Sequence, residues 1–127
     1  MMSYAFKENG TAFIGKSGRG RILLDGNRST ITSEGFRTGG SGIEIDLDDA
    51  YIDFRDSEHK TRVYISKGES SNNSSRVAYF RITGRETDAE GNETGDTKNL
   101  MYIASNGTYY LQSLNYEKGA AGVKIDL

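Results

Sequence analysis

In Gly42-Ile43-Glu44-Ile45-Asp46-Leu47-Asp48-Asp49 an apolar residue alternates with an acidic one through three cycles. Successive side chains of a strand point to opposite faces, so this period of two predicts a strand with one greasy and one charged face. The strand is entered through a glycine. A shortened copy closes the sequence as Gly122-Val123-Lys124-Ile125-Asp126-Leu127, where Val123, Ile125 and Leu127 alternate with Lys124 and Asp126.

The two copies are offset by 80 positions, and the offset holds further back: Ile31 falls on Leu111, Ser33 on Ser113, Phe36 on Tyr116 and Gly39 on Gly119. The repeated unit is an apolar strand, a serine, an aromatic, a loop with glycine at two fixed places, and the Ile-Asp-Leu strand. Glycine at fixed places marks backbone positions that other residues fill at a cost. A supersecondary unit used twice is a device for stacking or extending. The expected organisation is a single all-β fragment over 1–127, with repeat units at about 4–49 and 76–127 joined by a strand-rich segment 50–75. The second copy stops at Leu127, which reads as a fragment cut from a longer protein, and Met1-Met2 reads as an added start residue.

About a fifth of the residues are Val, Ile, Leu or Phe, at the border below which charged chains stay disordered. The net charge is only -2 and the apolar residues are periodic, so disorder is rejected. A thin but periodic core is explained if partner chains complete it. Cysteine is absent, which removes disulfides and thiolate metal sites. Sixteen Lys and Arg face eighteen Asp and Glu with no basic cluster, so nucleic-acid binding is not expected. No apolar run approaches the roughly 20 residues that span a bilayer, so membrane insertion is not expected either.

The rest of the chain reads as short strands separated by turns: Ser3 to Lys7, Thr11 to Ile14, Arg21 to Leu24, Ser29 to Ser33, Tyr51 to Arg55, Thr61 to Ser66, Arg76 to Thr83, Asn99 to Ala104 and Tyr109 to Ser113. Asn9-Gly10 and Asp25-Gly26 are turn signals. Lys67 to Ser75 is a polar loop, and Gly84 to Lys98 reads as a long acidic loop at the tip of a hairpin. No window carries helical spacing over three turns. Strands every 6 to 12 residues without helix predict an all-β fold.

Several motifs could carry chemistry, and most have a plainer reading. Gly10-Thr-Ala-Phe-Ile-Gly15-Lys16-Ser17 matches the phosphate-binding loop literally. That loop needs a helix directly after Lys-Ser, and here a glycine-rich turn and a strand follow. Asp46 and Asp48 share a strand face about 7 Å apart, a separation that glycosidase carboxylates also use, but alternation and turn formation account for both. Asp88 to Asp96 resembles half a calcium loop, yet lacks the glycine at its sixth place and the glutamate at its twelfth. His59, the one histidine, sits in a charged turn and reads as solvent-exposed. Asn27, Asn72, Asn73, Asn92 and Asn106 lie in Asn-x-Ser/Thr patterns and read as turn asparagines. Tyr79, Tyr102, Tyr109 and Tyr110 are the candidate glycan contacts, because strand-borne aromatics can form a stacking platform, although strand aromatics more often serve packing. No catalytic, cofactor-binding or metal-ligating set stands out, and the chain is read as a non-enzyme without a cofactor.

Three runs together carry a resemblance. They are Gly20 to Asn27 with Ser29-Thr30-Ile31, then Gly42 to Asp49, then Tyr79 to Ile82 followed by Leu100 to Ile103, Tyr109 to Ser113 and Gly122 to Leu127. This succession resembles repetitive segments of tail proteins from bacteriophages and prophages of Gram-positive bacteria, the tail-fibre, tail-tip or minor structural class. The usual run has glycine after the acidic pair, where this chain has Ala50. The resemblance implies a virion structural protein made in the bacterial cytoplasm, a homotrimer interwoven as a β-prism or triple-stranded β-helix, and other tail proteins or host cell-surface polysaccharide as partners. Ile43, Ile45, Leu47, Val123, Ile125 and Leu127 would then form the inter-chain core. Alternation alone leaves a monomeric β-sandwich open, and with it a carbohydrate-binding module. Some members of that class carry peptidase or polysaccharide-degrading domains, whose motifs have no match here.

Overall fold

A computed structural model describes residues 4–6, 9–18, 20–69, 76–114 and 124–126. The described residues form an all-β, antiparallel fold with a single one-turn helix. The chain divides into two compact units, Met1–Thr61 and Arg62–Leu127. This boundary falls inside the 50–75 segment that the repeat leaves as a connector.

The first unit is a meander of β1 (Tyr4–Phe6), β2 (Thr11–Ile14), β3 (Ile22–Asp25), β4 (Thr30–Ser33), β5 (Gly42–Asp46) and β6 (Tyr51–Arg55), with helix α1 (Glu34–Arg37) between β4 and β5. Each strand pairs with the next through a turn. Aspartates at strand ends hold several of these turns. Asp25 Oδ1 accepts the amide protons of Asn27 and Arg28 at 3.0 and 3.1 Å. Asp46 Oδ1 accepts those of Asp48 and Asp49 at 3.0 and 2.7 Å. Asp56 Oδ1 accepts those of Glu58 and Lys60 at 2.9 and 3.1 Å. A short carboxylate that mimics a backbone acceptor is what makes Asp a turn former. Ala50, in the turn after β5, has φ +56°, the left-handed region that glycine favours.

The second unit runs through β7 (Thr61–Ser66), β8 (Tyr79–Thr87), β9 (Glu93–Ala104), β10 (Tyr109–Gln112) and β11 (Lys124–Asp126). The stretch expected as a long loop, Gly84 to Lys98, is mostly strand: β8 and β9 continue to a tip at Asp88 to Asn92. Two register shifts, at Ile82/Thr83 and Arg85/Thr87, accommodate it. Across the strands Arg85 Nε donates to Glu93 Oε2 at 2.8 Å. Backbone pairing and cross-strand charge sustain a ladder whose side chains carry no apolar signal. The pairs β4–β5 and β10–β11 share one register at the 80-residue offset. Ile31 lies opposite Ile45 as Leu111 lies opposite Ile125, and Thr30 opposite Asp46 as Tyr110 opposite Asp126.

Directly opposed residues share a sheet face, so the registers sort the side chains. In the first unit Ile14, Ile22, Leu24, Ile31, Ile43, Ile45, Ile52 and Phe54 lie on one face. Phe13, Leu23, Thr30, Thr32, Glu44, Tyr51 and Asp53 lie on the other. The second face is the covered one. Thr32, Asp53 and Glu44 are 2%, 3% and 9% exposed, whereas Ile43 and Leu47 are 41% and 62% exposed. The expectation of a wet acidic face on β5 is therefore reversed at Glu44. Alternation separates two faces, but the loop that folds over one of them decides which is buried.

Candidate functional site

The covered face of the first unit gathers its charged side chains beneath α1. After β4 the chain makes one helical turn, with Glu34 in the first turn and Arg37 in the last, the order that complements the helix dipole. The Thr38 amide donates to Glu34 O at 3.2 Å, and Gly39 and Gly40 end the turn. This turn carries Phe36 and Arg37 back over the sheet. Phe36 is buried, meets His59 edge-to-face at 5.0 Å between ring centroids, and lies under the Arg55 guanidinium at 4.9 Å. An arginine over an aromatic face is attracted by the ring quadrupole.

Arg37 Nη2 donates to Thr30 Oγ1 at 2.7 Å. It stands 3.9 Å from Asp25 Oδ2 and 3.8 Å from Glu44 Oε2, too long for hydrogen bonds and close enough for charge attraction. Glu44 also accepts protons from the Tyr51 hydroxyl at 2.5 Å and from Thr32 Oγ1 at 3.3 Å. Asp53, opposite Glu44 in register, accepts from Arg55 Nε at 2.9 Å through Oδ2. Its Oδ1 is buried with no hydrogen-bond partner among the described residues. Buried carboxylates are tolerated because each has a donor and a nearby guanidinium. Beside this network opens a groove of about 570 Å³, walled by Arg28, Thr30, Phe36, Arg37, Glu44, Asp46, Tyr51 and His59.

His59 is not the free turn residue expected from its charged neighbours. It is half-buried against Phe36, and its Nδ1 lies 3.0 Å from Gly40 O. Of the acidic pair, Asp46 lines the groove while its Oδ1 holds the turn, and Asp48 is exposed. Sequence reasoning missed Phe36, Arg37, Glu44, Tyr51 and Asp53. One signal was available: an aromatic and an arginine followed by Gly39-Gly40-Ser41-Gly42, a loop able to turn back onto the charged side of the strand it precedes.

The literal phosphate-loop match leads from β2 into a turn and then β3, with no helix after it. Its donors serve the chain itself. Gly18 N and Ser17 Oγ donate to the Glu34 carboxylate at 2.9 and 3.2 Å, and Arg21 Nη2 donates at 3.1 Å. The Gly18 amide, with Ser17 and the Arg21 charge, holds the Glu34 carboxyl below its ordinary range despite an opposing desolvation effect. The half calcium loop is a hairpin tip, where Asp88 Oδ1 accepts from the Glu90 and Asn92 amides at 3.0 and 2.9 Å. Among the described residues no group of three His, Asp or Glu is placed to hold a metal ion.

The four candidate tyrosines divide between two faces. Tyr79 and Tyr102 share a face with Tyr64, and their rings form a stack with centroids 5.6 Å apart at each step, Tyr64 to Tyr79 and Tyr79 to Tyr102. Tyr110 is opposite Tyr102 on that face, whereas Tyr109 is opposite Ile103 on the other. Each stacked step covers one ring face of its neighbour. Ile43, Leu47 and Ile125 are exposed and Ile45 is half-buried; Val123 and Leu127 lie outside the described residues.

No protein-family model, no curated protein and no solved structure matches the chain. Among the described residues no helix is long and apolar enough to cross a membrane.

Proposed function

We propose that this chain is a self-assembling structural segment of a phage tail, in which identical chains, three in the expected arrangement, cover one another's apolar sheet faces. The observation that carries the reading is the inverted burial of the strands. Ile14, Ile22, Ile43 and Leu47 in the first unit are 41–62% exposed, and Ile65, Ile103 and Ile125 in the second are 38–46% exposed. The described hydrophobic residues that are buried are only Ala12, Phe36 and Ala104. Covering the exposed part of such a side chain contributes about 1 kcal/mol each, so several together are enough to drive association. Identical partners around an axis can provide that cover reciprocally. The shared register of β4–β5 and β10–β11 supports a repeated building unit. The phage-tail assignment rests on the sequence resemblance.

The test is the solution mass of the 127-residue chain by light scattering across a dilution series. A persistent three-chain mass, lost in Ile43→Ser/Leu47→Ser, is the expected result. A persistent single-chain mass overturns the self-assembly.

A further inference from the structure

We propose that the turn between β2 and β3 is an oxyanion-binding cradle for a sulfate or phosphate group, kept closed by the chain's own Glu34. Its donors converge from three residues. Gly18 N donates to Glu34 Oε2 at 2.9 Å, and Ser17 Oγ and Arg21 Nη2 donate to Oε1 at 3.2 and 3.1 Å. A backbone amide, a hydroxyl and a guanidinium around one anion are the donors that phosphate and sulfate sites use. The glutamate carboxylate stands in for that oxyanion. Contacts other than the carboxylate also hold the cradle. The Arg21 guanidinium lies over the Phe13 ring at 4.0 Å, and Gly18 takes φ +78°, a backbone that glycine adopts without steric cost.

The cradle is filled without being saturated. Arg21 Nε is buried and has no hydrogen-bond partner among the described residues. A carboxylate brings two oxygens, both already engaged, whereas a tetrahedral oxyanion brings more. Room for the body of a ligand lies alongside. Ser17, Gly18, Gly20, Glu34 and Gly35 wall a groove of about 630 Å³, within the range of small-molecule sites. Without the Glu34 carboxylate the turn keeps the positive charges of Lys16 and Arg21. The lowered pKa of Glu34 agrees that these donors favour an anion. Tethering is what excludes a free one. The Glu34 amide donates to Arg21 O at 2.8 Å, so its carboxylate competes from within the chain at high effective concentration. This site stands independently of the proposed assembly.

The experiment titrates the ¹⁵N-labelled chain with sodium sulfate and with inorganic phosphate at pH 7, ionic strength being held constant with sodium chloride, and reads the Gly18 amide. The wild-type chain is expected to show no saturable shift up to about 50 mM, and Glu34→Ala to bind with a Kd on the order of 10 mM or tighter. Adding Ser17→Ala to that variant removes one donor and is expected to weaken binding about threefold to tenfold. Glu34→Gln keeps the side-chain volume and carries the test if the alanine variant does not fold; a smaller gain in the same direction is expected. Asp48→Asn removes an exposed carboxylate elsewhere and is expected to gain nothing. The proposal is overturned if folded Glu34 variants gain no binding, if Asp48→Asn gains as much, or if Ser17→Ala leaves the gained affinity unchanged.

Discussion

Ser33 Oγ stands 2.0 Å from where a Cβ on Gly42 would be, and it accepts the Ile43 amide proton at 2.9 Å. The hydroxyl and the missing side chain thus fix how β5 leaves the loop after α1. Gly42 also has φ +153°, on the positive side that other residues rarely adopt. Gly42→Ala is expected to destabilise the fold by about 3 kcal/mol, and Ser33→Ala by about 1 kcal/mol, read as shifts in urea midpoint.

Ala50 is held at φ +56° in the turn that Asp46 caps. Relief of the left-handed strain outweighs the added freedom of the unfolded chain, so Ala50→Gly is expected to raise stability by about 0.5–1 kcal/mol. Ala50→Val moves the other way, because a β-branched side chain is worse still at positive φ. Denaturant melts of both variants check the sign.

Glu44 is a shared acceptor for Tyr51 and Thr32, with the Arg37 charge beside it. Tyr51→Phe removes one donor and is expected to cost about 1–2 kcal/mol. Glu44→Leu leaves Tyr51 and Thr32 without their acceptor and Arg37 with Asp25 as its one remaining nearby carboxylate among the described residues, and is expected to cost about 2–3 kcal/mol. In a double-mutant cycle, Arg37→Met combined with Glu44→Leu recovers part of the sum; strict additivity would show that the two charges do not interact.

The Glu34 carboxyl is held below its ordinary range in the folded chain, first by the Gly18 amide. The charged form is therefore the one that folding favours. The contribution is present above the ordinary carboxylate pKa and is lost as pH falls through the lowered folded value. On acidification the Gly18 amide resonance should follow that titration, and Glu34→Gln should abolish it.

Most strands were legible as short apolar or alternating runs bounded by turn signals: Thr11 to Ile14, an apolar run before a glycine turn, and Tyr51 to Arg55, an alternating one, are strands with the bounds their residues predict. Three features were not. Helix α1 is four residues long, shorter than the window over which a helical period can be seen. The outer halves of β8 and β9 are polar on both faces, so nothing but backbone pairing marks them as strand. The burial of Glu44, Asp53 and His59 depends on where Phe36 and Arg37 land after the Gly39–Gly42 loop, a contact between distant elements with no local signal. The tyrosines illustrate the same limit: sequence identified all four as strand residues, but register alone separates Tyr109 from the row that Tyr79 and Tyr102 form.

Because Glu44 is covered and its neighbour Ile43 is not, adjacent positions of β5 carry different physical constraints. Exchanges at Glu44 are filtered by whether one chain folds. Under the proposed assembly, exchanges at the exposed Ile43 and Leu47 act on association and not on folding. Mutational drift can therefore rewrite the outer surface of the strand while its folding is preserved, and a lineage of such segments could diversify in its associations without first becoming unstable.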